Sequence, residues 1–235
     1  MEKYYIAELN VLLECEKTTM QNAEKYLSTF LSNPDIEIVT NKKIVESITK
    51  ERNMSYSIAA YLWESSQFYR KLLKFNGMML HASAVVVENK AYLFSAPCGT
   101  GKSTHTGKWL ELFGESAYIL NDDKPAIRVL DDGIYAYGTP WSGKHDISVN
   151  KKVPLQGICF LSRDNENWIK LMDKQLAAMR MYHGALRKLT PELLNKELDI
   201  INKIVERIPI YEMGCTPTTE AAQMAYDVMS KGEVK

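Results

Sequence analysis

Several marks of a specialised chain are missing from these 235 residues. No apolar run approaches the ~20 residues a membrane-spanning helix needs, and Met1-Glu2-Lys3 opens on no signal-like apolar segment. The expectation is a cytoplasmic protein with no membrane partner. Net charge is absent too: 29 Lys+Arg balance 29 Asp+Glu, so no field gathers nucleic acid or anionic lipid. Cys15, Cys98, Cys159 and Cys215 form no C-x-x-C pair and read as reduced thiols, not a disulfide framework. His81, His105, His145 and His183 show no zinc-binding spacing such as H-E-x-x-H. Internal repeats and low-complexity segments are lacking. What remains, 46% hydrophobic and 25% charged, is an ordinary globular composition with enough chain to bury a core.

One stretch stands out against that background: Ala96-Pro97-Cys98-Gly99-Thr100-Gly101-Lys102-Ser103-Thr104. It fits the phosphate-loop pattern G-x-x-x-x-G-K-[ST] with Ala96 in the first glycine's place. The apolar run Ala91–Phe94 precedes it, and a helix-compatible segment follows. A loop running into a helix turns backbone N–H groups toward a common centre at the positive end of the helix dipole, which makes an anion site. Gly99 and Gly101 permit positive φ and close approach of phosphate. Lys102 suits the β- and γ-phosphates, and the Ser103 hydroxyl suits Mg²⁺. Pro97 removes one donor from the loop. Cys98, Thr100 and Thr104 complete the set that would surround a nucleoside triphosphate.

The chain divides near residue 76. Residues 1–75 read as a small α+β unit: a strand over Tyr4–Val11, a helix over Asn22–Leu31, a strand at Ile36–Val39, then a strong helix over Ser57–Phe75. That helix carries an apolar stripe through Ile58, Tyr61, Leu62, Phe68 or Tyr69, and Leu72, with Asn76-Gly77 as its stop. Beyond it, Ala82–Val87 and Ala91–Phe94 read as a hairpin whose second strand feeds the loop. A helix follows to Phe113, then a short buried strand Ala117–Leu120. A second hairpin, Ala126–Leu130 with Ile134–Tyr137, turns at Asp131-Asp132-Gly133. Gly157–Leu161 reads as a strand and Ile208–Tyr211 as an edge strand, because proline cannot donate to a ladder. Thr190-Pro191-Glu192 opens a helix with Leu194, Leu198, Ile201 and Val205 on its apolar face. A last helix, Glu220–Met229, packs through Ala221, Met224, Ala225 and Val228. Antiparallel pairs dominate, so the expected class is α+β with a mixed, largely antiparallel, curved sheet.

A phosphate loop needs a further acid for its metal, usually at the end of a buried strand. Asp122 and Asp123 follow Ile119-Leu120 at a suitable distance. One of the pair can hold Mg²⁺ while the other takes a proton from an attacking hydroxyl. His81 begins the strand before the loop. The segment Gly138-Thr139-Pro140-Trp141-Ser142-Gly143-Lys144 offers Trp141, Ser142 and Lys144 as substrate contacts: Trp141 for stacking or for anchoring the loop, Lys144 for phosphate charge.

Together these residues resemble the core of HPr kinase/phosphorylase and of the phosphoenolpyruvate carboxykinases that share its P-loop fold. The likeness runs from about Met78 to Leu161, through Leu-His-Ala-Ser-Ala at 80–84, Asn-Asp-Asp-Lys-Pro at 121–125 and Gly-Thr-Pro-Trp-Ser-Gly-Lys at 138–144. It implies a P-loop kinase-like domain at 76–235 and Mg²⁺-dependent phosphoryl transfer from ATP or GTP to a hydroxyl. It also places His81 beside the transferred phosphate and gives the Asp pair the base and metal roles. Homo-oligomeric assembly is a further expectation. The chain lacks the C-terminal signature with which such kinases engage HPr, so the acceptor is open: a peptide, a protein or a small molecule. A regulatory module that binds nucleotide without transferring phosphate is the alternative.

Overall fold

The first elements form a small sheet. β1 (Glu2–Ile6) and β2 (Leu9–Glu14) pair antiparallel, α1 (Lys17–Ala23) follows, and β3 (Ile36–Val39) returns parallel to β2. These belong to a computed structural model that describes residues 1–143, 145–186 and 188–232. The sequence suggests one strand over Tyr4–Val11, but the chain turns at Ala7-Glu8, both at positive φ (51° and 60°). No glycine or asparagine announces this turn. Distant side chains hold it: Arg128 donates to the Ala7 carbonyl (2.7 Å), Tyr137 Oη donates to Glu8 (2.7 Å), and Lys152 lies 3.1 Å from the same carboxylate. Such partners can offset the cost of a left-handed non-glycine backbone.

The helix expected at Asn22–Leu31 lies earlier, as α1 plus a 3-10 turn at Glu24–Tyr26. Leu27 bridges Tyr4 and the Ser28 N–H donates to the Lys3 carbonyl, so β1 takes backbone groups a longer helix would need. α2 (Lys42–Arg52), capped by Asn41, has no counterpart in the sequence reading; it buries only Val45, which leaves almost no periodic signal. α3 (Tyr56–Leu72), capped by Ser55, is the expected long helix. Its left-handed stop is Asn76 (φ 53°) and not Gly77. A Cβ on Gly77 would come within 2.7 Å of Leu72 Cγ.

The large sheet contains β4 (Gly77–Met79), β5 (Ala82–Val87), β6 (Lys90–Ser95), β7 (Ala117–Asn121), β8 (Ala126–Leu130), β9 (Gly133–Tyr137), β10 (Lys152–Arg163), β11 (Trp168–Leu171) and β12 (Ile210–Cys215). Interspersed are α4 (Lys102–Phe113), α5 (Lys174–Gly184), α6 (Pro191–Arg207) and α7 (Thr219–Met229). The strands run β4-β8-β9-β10-β6-β5-β7, with β12 on the other side of β10 and β11 beside β12. In this sheet, among the described residues, only β10–β6 and β10–β12 are parallel. The α+β, largely antiparallel reading therefore describes this sheet. β10 leaves β9 at Pro154, passes a register shift between Leu155 and Gly157, and then runs between β6 and β12, which curls the sheet.

Both faces of the central hairpin are buried, and its alternation sorts the core. Ala84, Val86, Ala91 and Leu93 point to a cluster with residues of α5 and α6, whereas Val85, Val87, Tyr92 and Phe94 point to one with α4 and α7. A third cluster joins β1–β3 and α3 to Met79, Ala126, Tyr137 and Trp141, so the N-terminal elements share a core with the large sheet.

Some expected details shift. β12 starts after Pro209 and is interior, between β10 and β11, not an edge strand. β10 is twelve residues long where the sequence suggested five. α6 buries Ile200, Ile201, Ile204 and Val205, while Leu198 is 39% exposed and Leu194 is half-buried. Two apolar stripes share this helix, and the packing of α5 and the sheet selects one. α7 likewise buries Ala222 and Met229 along with Ala221 and Ala225. β11 buries none of its residues and α5 only Ala177 and Met181, so neither carried a readable period.

Candidate active site

β6 delivers the chain into the loop, and α4 begins at Lys102. Gly99 and Gly101 both stand at positive φ (78° and 121°), the conformations for which glycine is suited. The Thr100 N–H turns back to the Pro97 carbonyl. Arg163, at the end of β10, donates to the carbonyl oxygens of Gly99 and Thr100, fixing the loop's outer side. α4 has no side-chain cap and no acidic residue in its first turn. By contrast α1, α2, α3, α5 and α6 are capped by Glu16, Asn41, Ser55, Asp173 and Thr190. The first N–H groups of α4 are thus left to an anion or solvent. Lys102 is buried and its Nζ donates to the Ala96 carbonyl across the loop (3.0 Å). Burial pushes its ammonium below the usual lysine value, with Asp123, Cys98 and Asp122 pulling the other way.

The facing wall comes from the end of β7. Asn121 is fully buried; its Oδ1 accepts the N–H groups of Asp123 (3.1 Å) and Lys124 (2.8 Å), and its Nδ2 donates to Thr139. This turn aims the two carboxylates. Asp122 Oδ1 accepts from Ser83 Oγ at 2.6 Å, and Ser83 in turn lies 2.9 Å from the Thr106 hydroxyl of α4. Asp123 Oδ1 is 3.2 Å from His81 Nε2, and Lys124 Nζ donates to Oδ2. Burial alone would raise the Asp123 carboxyl, but His81 and Lys124 outweigh it and hold it at about 2. Asp123 is therefore ionised throughout the neutral range.

His81 is held from both sides: its N–H donates to Gly184 of α5, and its carbonyl accepts from Ser95 Oγ. A Cβ on Gly184 would come within 2.8 Å of Leu80 Cδ1, so a larger residue there would make that side chain shift.

A cleft of about 480 Å³ joins the two walls. His81, Cys98, Gly99, Gly101, Lys102, Ser103, Thr104, Asp122, Asp123 and Ser142 all line it, and His145 and Gly143 add to the rim. Thr100 faces a neighbouring depression with Arg163 and Cys215. Trp141 is not available for stacking on a substrate. It is fully buried, its ring 4.8 Å from Phe68 and 5.9 Å from Tyr69, and it anchors the loop instead. Ser142 donates to Asp146 at 2.9 Å. Lys144 lies outside the described residues.

Ser83, Asn121, Arg163 and Gly184 escaped the sequence reading. Asn121 stood in the Asn-Asp-Asp stretch and could have been found as a side-chain-capped turn. Ser83 stood in the Leu-His-Ala-Ser-Ala stretch, but its bonds to Asp122 and Thr106, like the contacts of Arg163 and Gly184, cross the fold and leave no local signal. His105 is a core residue: it is 3% exposed and accepts from Trp109 Nε1 at 3.2 Å. Burial lowers it to about 4.

Hard oxygen donors, a hydroxyl at Ser103 and carboxylates at Asp122 and Asp123, suit Mg²⁺, which takes one or two carboxylates together with substrate phosphates. Among the described residues no group of three or more His, Cys, Asp and Glu side chains converges as a self-sufficient metal site. No described helix is long and apolar enough to cross a membrane.

The class defined by these observations is an α+β protein whose curled sheet holds a glycine loop and helix start opposite a paired carboxylate turn. The family is defined by sequence. Residues 44–219 match the family model described as SynChlorMet cassette protein ScmC, and the chain belongs to that family. No curated protein matches the chain. Among solved structures, the Hpr(Ser) kinase/phosphatase from Coxiella burnetii is similar at 10% identity and a TM-score of 0.38. The match covers 65% of this chain and 88% of that one. A likeness of that size carries no argument about activity.

Proposed function

We propose that this protein is a Mg²⁺-dependent kinase that moves the γ-phosphoryl group of a nucleoside triphosphate to a hydroxyl. The observation that carries the reading is the cleft in which Cys98, Gly99, Gly101, Lys102, Ser103 and Thr104 face His81, Asp122 and Asp123. The family description names a cassette and no activity, so the proposal rests on this chemistry.

In this reading the glycine loop and the open start of α4 bind the triphosphate through backbone N–H groups, and Lys102 exchanges its bond to the Ala96 carbonyl for phosphate oxygens. Ser103 and Asp122 would hold Mg²⁺, and the ion would offset charge on the β- and γ-phosphates. The bond from Ser83 orients Asp122 for that role. Asp123, kept ionised by its partners, accepts the proton of the acceptor hydroxyl. His81, bonded to Asp123, steadies that carboxylate and, in this reading, relieves charge on the transferred group.

The test is thermal unfolding with and without Mg-ATP and Mg-GTP, on wild type and Lys102→Ala. A ligand at a hundred times its Kd that binds only the folded state stabilises by ~2.7 kcal/mol. The expected result is a raised Tm in wild type that disappears in Lys102→Ala. No shift in either protein overturns the assignment. A shift without phosphate release or transfer would reduce the protein to a nucleotide-binding regulatory module.

A further inference from the structure

A second cavity, of about 410 Å³, adjoins the cleft at Asp123 and includes none of the glycine-loop residues in its lining. Ile58, Tyr61 and Leu62 of α3 form its apolar wall, Thr18 of α1 stands at its rim, and Asp123 and Gly143 line both this cavity and the cleft. The volume falls within the range of pockets that take small ligands, as does a mostly apolar lining with a few convergent polar groups. The pocket is preformed: the Gly143 N–H donates to Tyr61 Oη at 2.9 Å, tying α3 to the loop, and Lys124 Nζ lies 5.1 Å from the Tyr61 ring centroid.

We propose that this cavity is the acceptor site, and that it takes a hydroxyl carried on an uncharged, apolar, side-chain-sized body such as a phenol. The inference rests on the kinase reading above. Its ground is the shared wall: Asp123, the base of that reading, lines both the triphosphate cleft and an open, mostly apolar pocket, and so is within reach of both substrates.

Charge argues for the uncharged body. Each ionic group at the pocket already has a protein partner: Asp123 has Lys124 and His81, and Asp146 has Lys25 and Ser142. A charged ligand would have to break one of these pairs, while an apolar one only displaces water from Ile58, Tyr61 and Leu62. Ile58 is 53% exposed, a large apolar side chain facing solvent at the rim. This also gives the N-terminal elements a role: they supply one wall of the acceptor site. In the transfer, the acceptor O–H proton passes to the Asp123 carboxylate as the oxygen lone pair forms the bond to γ-phosphorus. The bond from that phosphorus to the β,γ-bridging oxygen breaks, and its electron pair leaves with the nucleoside diphosphate.

The test uses two probes, N-acetyl-L-tyrosinamide and N-acetyl-L-serinamide, with binding read by ligand-observed NMR on the full chain. Thr18→Trp would fill the rim. Ile58→Glu would put a charge on it while keeping α3 intact, since a glutamate three residues after the Ser55 cap completes a capping box at the helix start. Wild type should bind the tyrosine probe roughly tenfold or more tighter than the serine probe, the scale expected when apolar groups enter a fitted pocket. Both variants should lose that binding yet keep the Mg-ATP thermal shift, and Lys102→Ala should keep probe binding while losing the shift. No binding of the tyrosine probe, equal binding of the two probes, or undiminished binding by both variants overturns the acceptor site. Loss of the Mg-ATP shift in wild type instead overturns the kinase reading, so the two failures are separable.

Discussion

Two helix starts in this chain are built to opposite rules. α6 is finished locally: Thr190 caps it by accepting the Leu193 N–H, Pro191 presets its first turn, and Glu192 complements the dipole. α4 starts on Gly101 at positive φ, without a side-chain cap or an acid in its first turn, and carries the buried Lys102 at its first position. Local preferences at α6 are all met, so the helix adds stability on its own account. Those at α4 are withheld, and a buried ammonium is added at a cost. Where a sequence breaks local rules around a pocket, function is the usual reason.

Substitutions in the two places should therefore separate activity from stability. Lys102→Ala should remove the proposed nucleotide binding but leave the Tm of the free protein equal or higher, because burial disfavours the ammonium it deletes. A steep fall in Tm would mean that the bond to Ala96 is structural and would break the contrast. Asp123→Asn comes next. It should cut the rate of phosphate transfer or of Mg-ATP hydrolysis by roughly 10²–10⁴ while preserving the Mg-ATP thermal shift. An unchanged rate would remove Asp123 from the base role.

A pH effect follows from His105, which lies within α4. Burial keeps it neutral, at about 4 against an ordinary 6.5, so below pH 6.5 the unfolded chain takes up a proton that the folded chain refuses. Its stability contribution is whole above pH 6.5 and is lost as pH falls toward 4, up to roughly 3 kcal/mol. Urea unfolding at pH 7 and pH 4.5 should show this loss in wild type and less of it in His105→Gln, which keeps an acceptor for Trp109. The smallest effect is at α6. Thr190→Ala should cost about 1 kcal/mol in urea unfolding and leave the Mg-ATP shift untouched.

The sequence made much of this legible where chemistry is local. Gly99, Gly101, Lys102 and Ser103 announced a loop running into a helix, and Thr190-Pro191 announced a capped start; both depend on neighbours within a few residues. The hairpins of β5–β6 and β8–β9 were readable for the same reason. Elements whose signal is weak or borrowed were not. α2 and α5 bury too few side chains to show a period, and the turn at Ala7-Glu8 is held by Arg128, Tyr137 and Lys152 from more than a hundred positions away.

The site divides along the same line. Which groups are candidates to bind phosphate, hold a hard cation or take a proton could be read from residue type and short spacing, because glycine's freedom in φ, side-chain pKa class and donor hardness are properties of the residues themselves. Tertiary structure alone decided that Asp123 faces two cavities and that Trp141 is core instead of a stacking platform. It also decided that α1 and α3 wall a pocket that shares Asp123 and Gly143 with the glycine-loop cleft. Such facts depend on which surfaces the folded chain brings together and shields from water, and no interval along the sequence records them.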